Sequence, residues 1–159
     1  MERFLCDEML ARLCRYLRAA GYDAALARGG VLDRVLLQQC REEARRFLTL
    51  DRRVGEHKAA AGVALILPTS RLDDQAQILA SAFGLDWLSR AFTRCILDNT
   101  PLLPATAGQR ARFAWLPDGE IEPVAACPGC GRVYWRGSHY RRMRERLEAW
   151  QRQRAAVFH

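Results

Sequence analysis

The chain reads as an α/β protein, with a three-layer parallel sheet over residues 1–90 followed by a small metal-stapled module over residues 91–159. Two observations predict this. Up to Leu85, short apolar runs alternate with segments of helical period, which implies parallel strands joined by crossover helices. Beyond Leu85 the alternation breaks into shorter pieces that hold most of the prolines and two cysteine-bearing pairs, with too little apolar sequence for a core of their own.

Residues 3–6 form an apolar run that ends at Asp7 and reads as the first strand. A helix over 9–20 follows: Leu10, Leu13, Cys14 and Leu17 recur at i, i+3, i+4 and i+7, Arg12, Arg15 and Arg18 fill the other positions, and Gly21 supplies the stop. Residues 24–27 read as a short second strand. The Gly29-Gly30 loop leads into a helix over 32–45 with Leu32, Val35, Leu36 and Cys40 on its buried stripe. Residues 47–50 form a buried strand ending at Asp51, residues 63–67 another stopped by Pro68, and Asp73 or Asp74 caps a helix over 75–83. The parallel domain closes near Gly84 or Leu85, with a boundary near residue 90. An arginine-rich helix over 140–154 ends the sequence.

With 159 residues and a net charge of +7, most of the basic excess being arginine, the chain suits bidentate phosphate contacts, although a solvated basic surface has the same composition. The six cysteines do not form a disulfide pattern: no leader is visible ahead of Phe4, and Cys6, Cys14 and Cys40 fall in apolar segments. The expectation is a reduced, cytoplasmic compartment. No apolar run approaches the roughly 20 residues a membrane span needs. There is no Gly-rich dinucleotide fingerprint, no Gly-Lys-Ser/Thr phosphate loop and no Gly-x-Ser-x-Gly elbow.

In parallel α/β sheets, ligands bind beyond the carboxyl ends of the strands. Asp7 and Asp51 lie there, and Asp33 opens the helix after the second strand, so three carboxylates from distant parts of the chain can meet at one edge. Such a cluster attracts magnesium or manganese, and one or two such ions can support phosphodiester hydrolysis. The structural alternative is that Asp33 is a helix cap and Asp51 a turn former. Glu43, ten residues from Asp33 on one helix, is about 15 Å away along the axis, too far to share an ion, and is expected to pair with Arg15. Asp73 and Asp74 can add a carboxylate or cap their helix. His57 reads as a proton shuttle or a surface histidine.

Cys127-Pro128-Gly129-Cys130-Gly131 is a zinc-knuckle turn, with two thiolates three positions apart and glycines that let the backbone fold around a metal. Upstream, Cys95-Ile96-Leu97-Asp98-Asn99 has the same spacing but a carboxylate in place of the second thiol.

Taken in order, Phe4-Leu5-Cys6-Asp7-Glu8-Met9-Leu10, Leu13, Arg15, Leu17-Arg18, Gly21, Asp33, Glu43, Leu48-Thr49-Leu50-Asp51, Gln75, Arg94-Cys95, Asn99, the knuckle, Tyr134-Trp135, Gly137-Ser138-His139 and Met143 resemble the Mut-seven C-terminal ribonuclease family over about residues 3 to 148. The resemblance implies a PIN-like nuclease domain with a zinc ribbon behind it. It also implies a metal-dependent ribonuclease role for Asp7, Asp33 and Asp51, and a zinc role for Cys95, Cys127 and Cys130. The family carries a cysteine at the position of Asp98. Zinc accepts an Asp oxygen, so Cys95, Asp98, Cys127 and Cys130 can still close a tetrahedron; His139 as fourth ligand, a metal-free ribbon and a Cys127–Cys130 disulfide stand as alternatives.

Arg136, Arg141, Arg142, Arg144 and Arg146 can meet phosphates while Tyr134 and Trp135 stack on unpaired bases, a combination suited to single-stranded RNA. The functional expectation is a magnesium- or manganese-dependent ribonuclease, an enzyme. Its rival is a noncatalytic nucleic-acid or protein-binding module with a degenerate pocket.

Overall fold

The computed structural model describes residues 1–112 and 123–157. The expected module over 91–159 therefore includes two stretches, 113–122 and 158–159, that lie outside the described residues. The larger sheet contains β1 (Phe4–Cys6), β2 (Ala24–Leu26), β3 (Arg46–Thr49) and β4 (Ala64–Ile66), all parallel, in the order β2-β1-β3-β4. The central strands β1 and β3 are apolar runs because both of their faces are covered. Phe4, Cys6 and Leu48 enter one buried cluster, Leu5 and Phe47 another, as the alternation of side chains along a strand requires.

The helices fill both faces. α1 (Ala11–Ala19) follows a 3-10 turn, Glu8–Leu10, and buries Leu13, Cys14 and Leu17, the stripe its period predicts. Gly21 ends it with φ 92°, where a side chain would run into the Arg90 carbonyl. α2 (Asp33–Glu43) covers the opposite face. Its stripe differs from the expected one: Leu32 and Val35 are 58% and 49% exposed, while Leu37 is fully buried beside Leu36 and Cys40. The apolar sequence there is wider than the face that packs.

α3 (Leu72–Phe83) starts earlier than expected and neither aspartate caps it; its cap position is Arg71, with no side-chain bond. Asp73 instead accepts from the Trp150 indole at 2.9 Å. That bond comes from α5 (Ser138–Val157), which lays Met143, Leu147 and Trp150 against α1 and α3. Trp150 meets Trp87 at 4.9 Å and Tyr16 at 5.1 Å between ring centroids. Each such buried side chain contributes about 1.5–3 kcal/mol. The core therefore runs across residue 90, and the final helix belongs to the main body.

Between them lies a small antiparallel sheet of β5 (Leu103–Pro104), β6 (Pro123–Ala126) and β7 (Val133–Trp135), with a short helix α4 (Ala107–Ala111). Thr106 and Gln109 cap α4 reciprocally. Among the described residues no helix is long and apolar enough to cross a membrane.

Candidate active site and metal-ligand cluster

The chain leaves β1 toward β2 on one side and leaves β3 toward β4 on the other, so the gap between the carboxyl ends of β1 and β3 is a topological switch point. Asp7 directly follows β1, and Asp51 lies two residues beyond β3. A fully buried hydroxyl links them: Thr49 Oγ1 donates to Asp7 Oδ2 at 2.6 Å and accepts the Asp51 amide at 3.0 Å. Asp33, at the start of α2, reaches the same edge, with its Oδ2 3.8 Å from His57 Nε2. Asp7 also caps the turn into α1 by accepting from Glu8 N at 2.8 Å. Asp51 accepts from the Arg53 side chain at 3.2 Å and its amide at 2.9 Å, bonds that hold its carboxyl below the usual range. The Arg53 side chain is 82% exposed.

The three carboxylates share an edge without closing a cage. Among the described residues, the group of potential ligands whose donor atoms all lie within 4.8 Å of one another is Cys95, Asp98, Cys127 and Cys130. Magnesium suits the looser arrangement, since it keeps several waters and is bound by one or two carboxylates together with substrate phosphate. Asp7, Asp33 and Asp51 offer only oxygen donors, the kind such an ion takes.

The thiol cluster is built from two turns with the same backbone bonds. Cys95 N donates to Thr100 O and Cys127 N to Arg132 O, both at 2.8 Å; Asn99 N donates to Cys95 O at 3.0 Å and Gly131 N to Cys127 O at 2.9 Å. Each turn ends in positive φ, 70° at Asn99 and 77° at Gly131. Asp98 thus occupies in the first turn the place that Cys130 occupies in the second. Cys95 and Cys130 sulfurs are 3.7 Å apart, and Cys127 Sγ is 3.3–3.4 Å from the Asp98 oxygens. A zinc tetrahedron with 2.3 Å sulfur bonds has edges of about 3.8 Å, shorter where an oxygen replaces sulfur. A Cβ on Gly129 would stand 2.7 Å from Asp98 Oδ2, so glycine is what lets the turns approach. The donors therefore fit a metal ion such as zinc, and His139 is outside the group.

Charge tells the same story. The Thr100 amide leads the bonds that hold the Asp98 carboxyl down to about 2. At Cys130 the Arg132 amide favours the thiolate, but desolvation and the neighbouring thiols of Cys127 and Cys95 win and push it up to about 11. A divalent cation reverses that cost.

The first turn is moored to the body. Arg18, expected on the solvent face, is 7% exposed and donates to the carbonyls of Ala24, Ile96 and Leu97 at 2.7–3.1 Å. Asn99 accepts the Ala24 amide at 3.0 Å and donates to Asp23 at 2.6 Å. Asp23 also pairs with Arg3 and Arg45. Glu43 pairs with Arg45 and not with Arg15, because the loop after α2 brings Arg45 back beside it. Tyr134 is committed to this joint: its hydroxyl accepts from Ile96 N at 3.2 Å and stands 3.0 Å from Cys95 Sγ, while Arg132 covers its ring at 5.6 Å. Trp135 is 37% exposed, and Arg136, Arg141 and Arg142 lie on the surface.

The sequence that folds into this mixed α/β body, acidic switch point and thiol cluster matches a family model. The Mut7-C RNAse domain model matches residues 2–147, and the chain belongs to that family. The membership points to a ribonuclease-type function, with RNA as the substrate. No curated protein and no solved structure matches the chain.

Proposed function

We propose that the protein is a metal-dependent ribonuclease with a PIN-like domain, in which Asp7, Asp33 and Asp51 hold magnesium or manganese. The observation that carries this reading is the Thr49 hydroxyl joining Asp7 and Asp51 across the switch point between β1 and β3. When bound, the ion supplies charge neutralisation on the scissile phosphate and lowers the pKa of water. Asp7 and Asp51 fix the acceptor oxygens, and Thr49 fixes Asp7. Arg53 holds Asp51 until cation and substrate arrive, and His57 stands beside Asp33 where it can take or give a proton. The Cys95, Asp98, Cys127 and Cys130 cluster takes zinc in a ribbon-like module and has no part in the hydrolysis.

Asp7→Asn and Asp51→Asn are expected to lower manganese-supported cleavage of single-stranded RNA at least 100-fold, an effect of about 2.7 kcal/mol or more on the barrier, with RNA binding retained. Cleavage persisting in both variants sinks the catalytic assignment. Binding without cleavage in the unaltered chain, across magnesium and manganese, favours the noncatalytic module instead.

A further inference from the structure

Two hollows that share His139 and Met143 flank the start of α5, one toward α1 and the other toward Phe92 and β7. The first, a groove of about 530 Å³, has Arg12 and Tyr16 on one wall and His139, Arg142 and Arg146 on the other. Glu145 is its acidic lining residue. The second, a cleft of about 160 Å³, continues from the shared residues His139 and Met143 to Phe92, Tyr140, Tyr134 and Trp135, with Arg132 at its rim. Phe92 and Tyr140 rings stand 4.2 Å apart on one wall. Pockets for whole drug-sized ligands measure about 300–1,000 Å³, so the cleft has room for one planar ring system and little more.

The charge around the groove is unspent. Arg12, Arg15 and Arg142 have no ion-pair or hydrogen-bond partner among the described residues. Arg146 faces Asp73 at 3.8 Å and lies over Tyr16. Arg15, Arg142 and Arg132 converge on His139, and burial first, then those cations, press the imidazole toward its neutral form. The α1 wall of the groove starts near the acidic edge. α1 begins just after Asp7 and runs away from it, so exposed Arg12 and Arg15 lie one and two turns along, Arg15 roughly 12 Å from Asp7 along the axis.

We infer that this groove and cleft form the track for single-stranded RNA leading away from the aspartate edge, with phosphates on Arg12, Arg15 and Arg142 and one base in the cleft beside Trp135. A groove of unpaired arginines beside an aromatic slot sized for one ring suits a flexible strand with splayed bases; a duplex keeps its bases stacked and out of reach. The inference rests on the ribonuclease reading and narrows the sequence-based interface: Arg136 and Arg141 line neither hollow, while Arg12 lines the groove and Arg15 stands beside its His139 edge.

The test is binding of a fluorescein-labelled 12-nucleotide single-stranded RNA of mixed sequence to the full chain, by anisotropy over a salt series without added magnesium or manganese. Arg12→Gln with Arg142→Gln is expected to flatten the slope of log affinity against log salt by about 1.4, since each phosphate contact on a single strand contributes about 0.7. Trp135→Leu is expected to weaken binding about tenfold with the slope unchanged, because stacking carries no counterion release. Melting temperature and bound zinc, measured on each variant, check the fold. Slope and affinity unchanged in both variants overturn the track, even if the unaltered chain cleaves RNA. Losses in both variants uphold it, even if the chain cleaves nothing. Equal binding of single-stranded DNA with the same losses overturns the assignment to RNA.

Discussion

At the thiol cluster, four donors from two turns with matching backbone bonds stand within 4.8 Å of one another, each oriented by an amide, a phenol or a carbonyl mooring. At the aspartate edge, three carboxylates come from three connections, and a buried threonine joins two of them while a half-exposed histidine faces the third. The first arrangement is complete within the protein, as a structural site is. The second leaves its carboxylates half-exposed, the arrangement that the proposed site for a hard ion shared with substrate calls for. Preassembly and openness, more than ligand identity, separate the staple from the proposed reaction centre.

The largest test of that contrast is removal of one staple ligand. Cys127→Ser is expected to release zinc and lower stability by roughly 3 kcal/mol or more, a fall of roughly 10 °C in melting temperature for a chain of this size. Bound metal and thermal melts report it directly. Because α5 is packed on α1 and α3 independently of the turns, the main body is expected to keep its secondary structure. Unchanged melting with metal lost would make the cluster incidental to the fold.

How much of this is legible in the sequence depends on what each residue answers to. The strand runs, the α1 stripe and the knuckle spacing are local patterns, and the structure keeps them. Arg12, Arg15 and Arg18 are alike in sequence, yet only Arg18 is buried, because two carbonyls of a segment almost eighty residues away, together with that of Ala24, need a donor. Nothing near Arg18 announces that partner. Thr49 is similar: a hydroxyl in an apolar run two residues before Asp51 is a clue, but its bond to Asp7 exists only once β1 and β3 lie side by side. The α2 stripe misleads because Leu32 and Val35 have the right period and no opposing surface. Asp98 is legible as a departure from a thiol, and its fitness as a ligand is visible only when the two turns are compared bond by bond.

A smaller effect is expected at the acidic edge. Thr49→Val keeps the shape of the side chain but leaves Asp7 Oδ2 and the Asp51 amide without their partner, a loss of about 1–3 kcal/mol. Part of that loss falls on positioning, so cleavage is expected to slow about tenfold while the manganese concentration for half activity rises. Thermal stability falls by a few degrees and zinc content does not change. A slowed rate with unaltered manganese dependence would mean that Thr49 orders the fold near Asp7 but not the ion's ligands.

The smallest effect concerns the mooring between the two regions. Burial alone would raise the Asp23 carboxyl, but hydrogen bonds from Arg45, Asn99 and Arg3 outweigh it and hold the group well below its usual range. A carboxyl depressed in the folded state adds stability that is fully present above its unfolded pKa, near 3.9, and is lost as pH falls through the folded value. The loss therefore begins below about pH 5, where zinc ligands also start to bind protons. Asp23→Asn separates the two: its melting temperature is expected to be lower at neutral pH, by the equivalent of about 2 kcal/mol, and the gap from the unaltered chain to close as pH falls. Metal release affects both chains alike, so the difference isolates Asp23. A gap that stays constant down to acid pH would place the stabilisation in the shape of the joint around Asn99, and not in the charge that Arg3 and Arg45 meet.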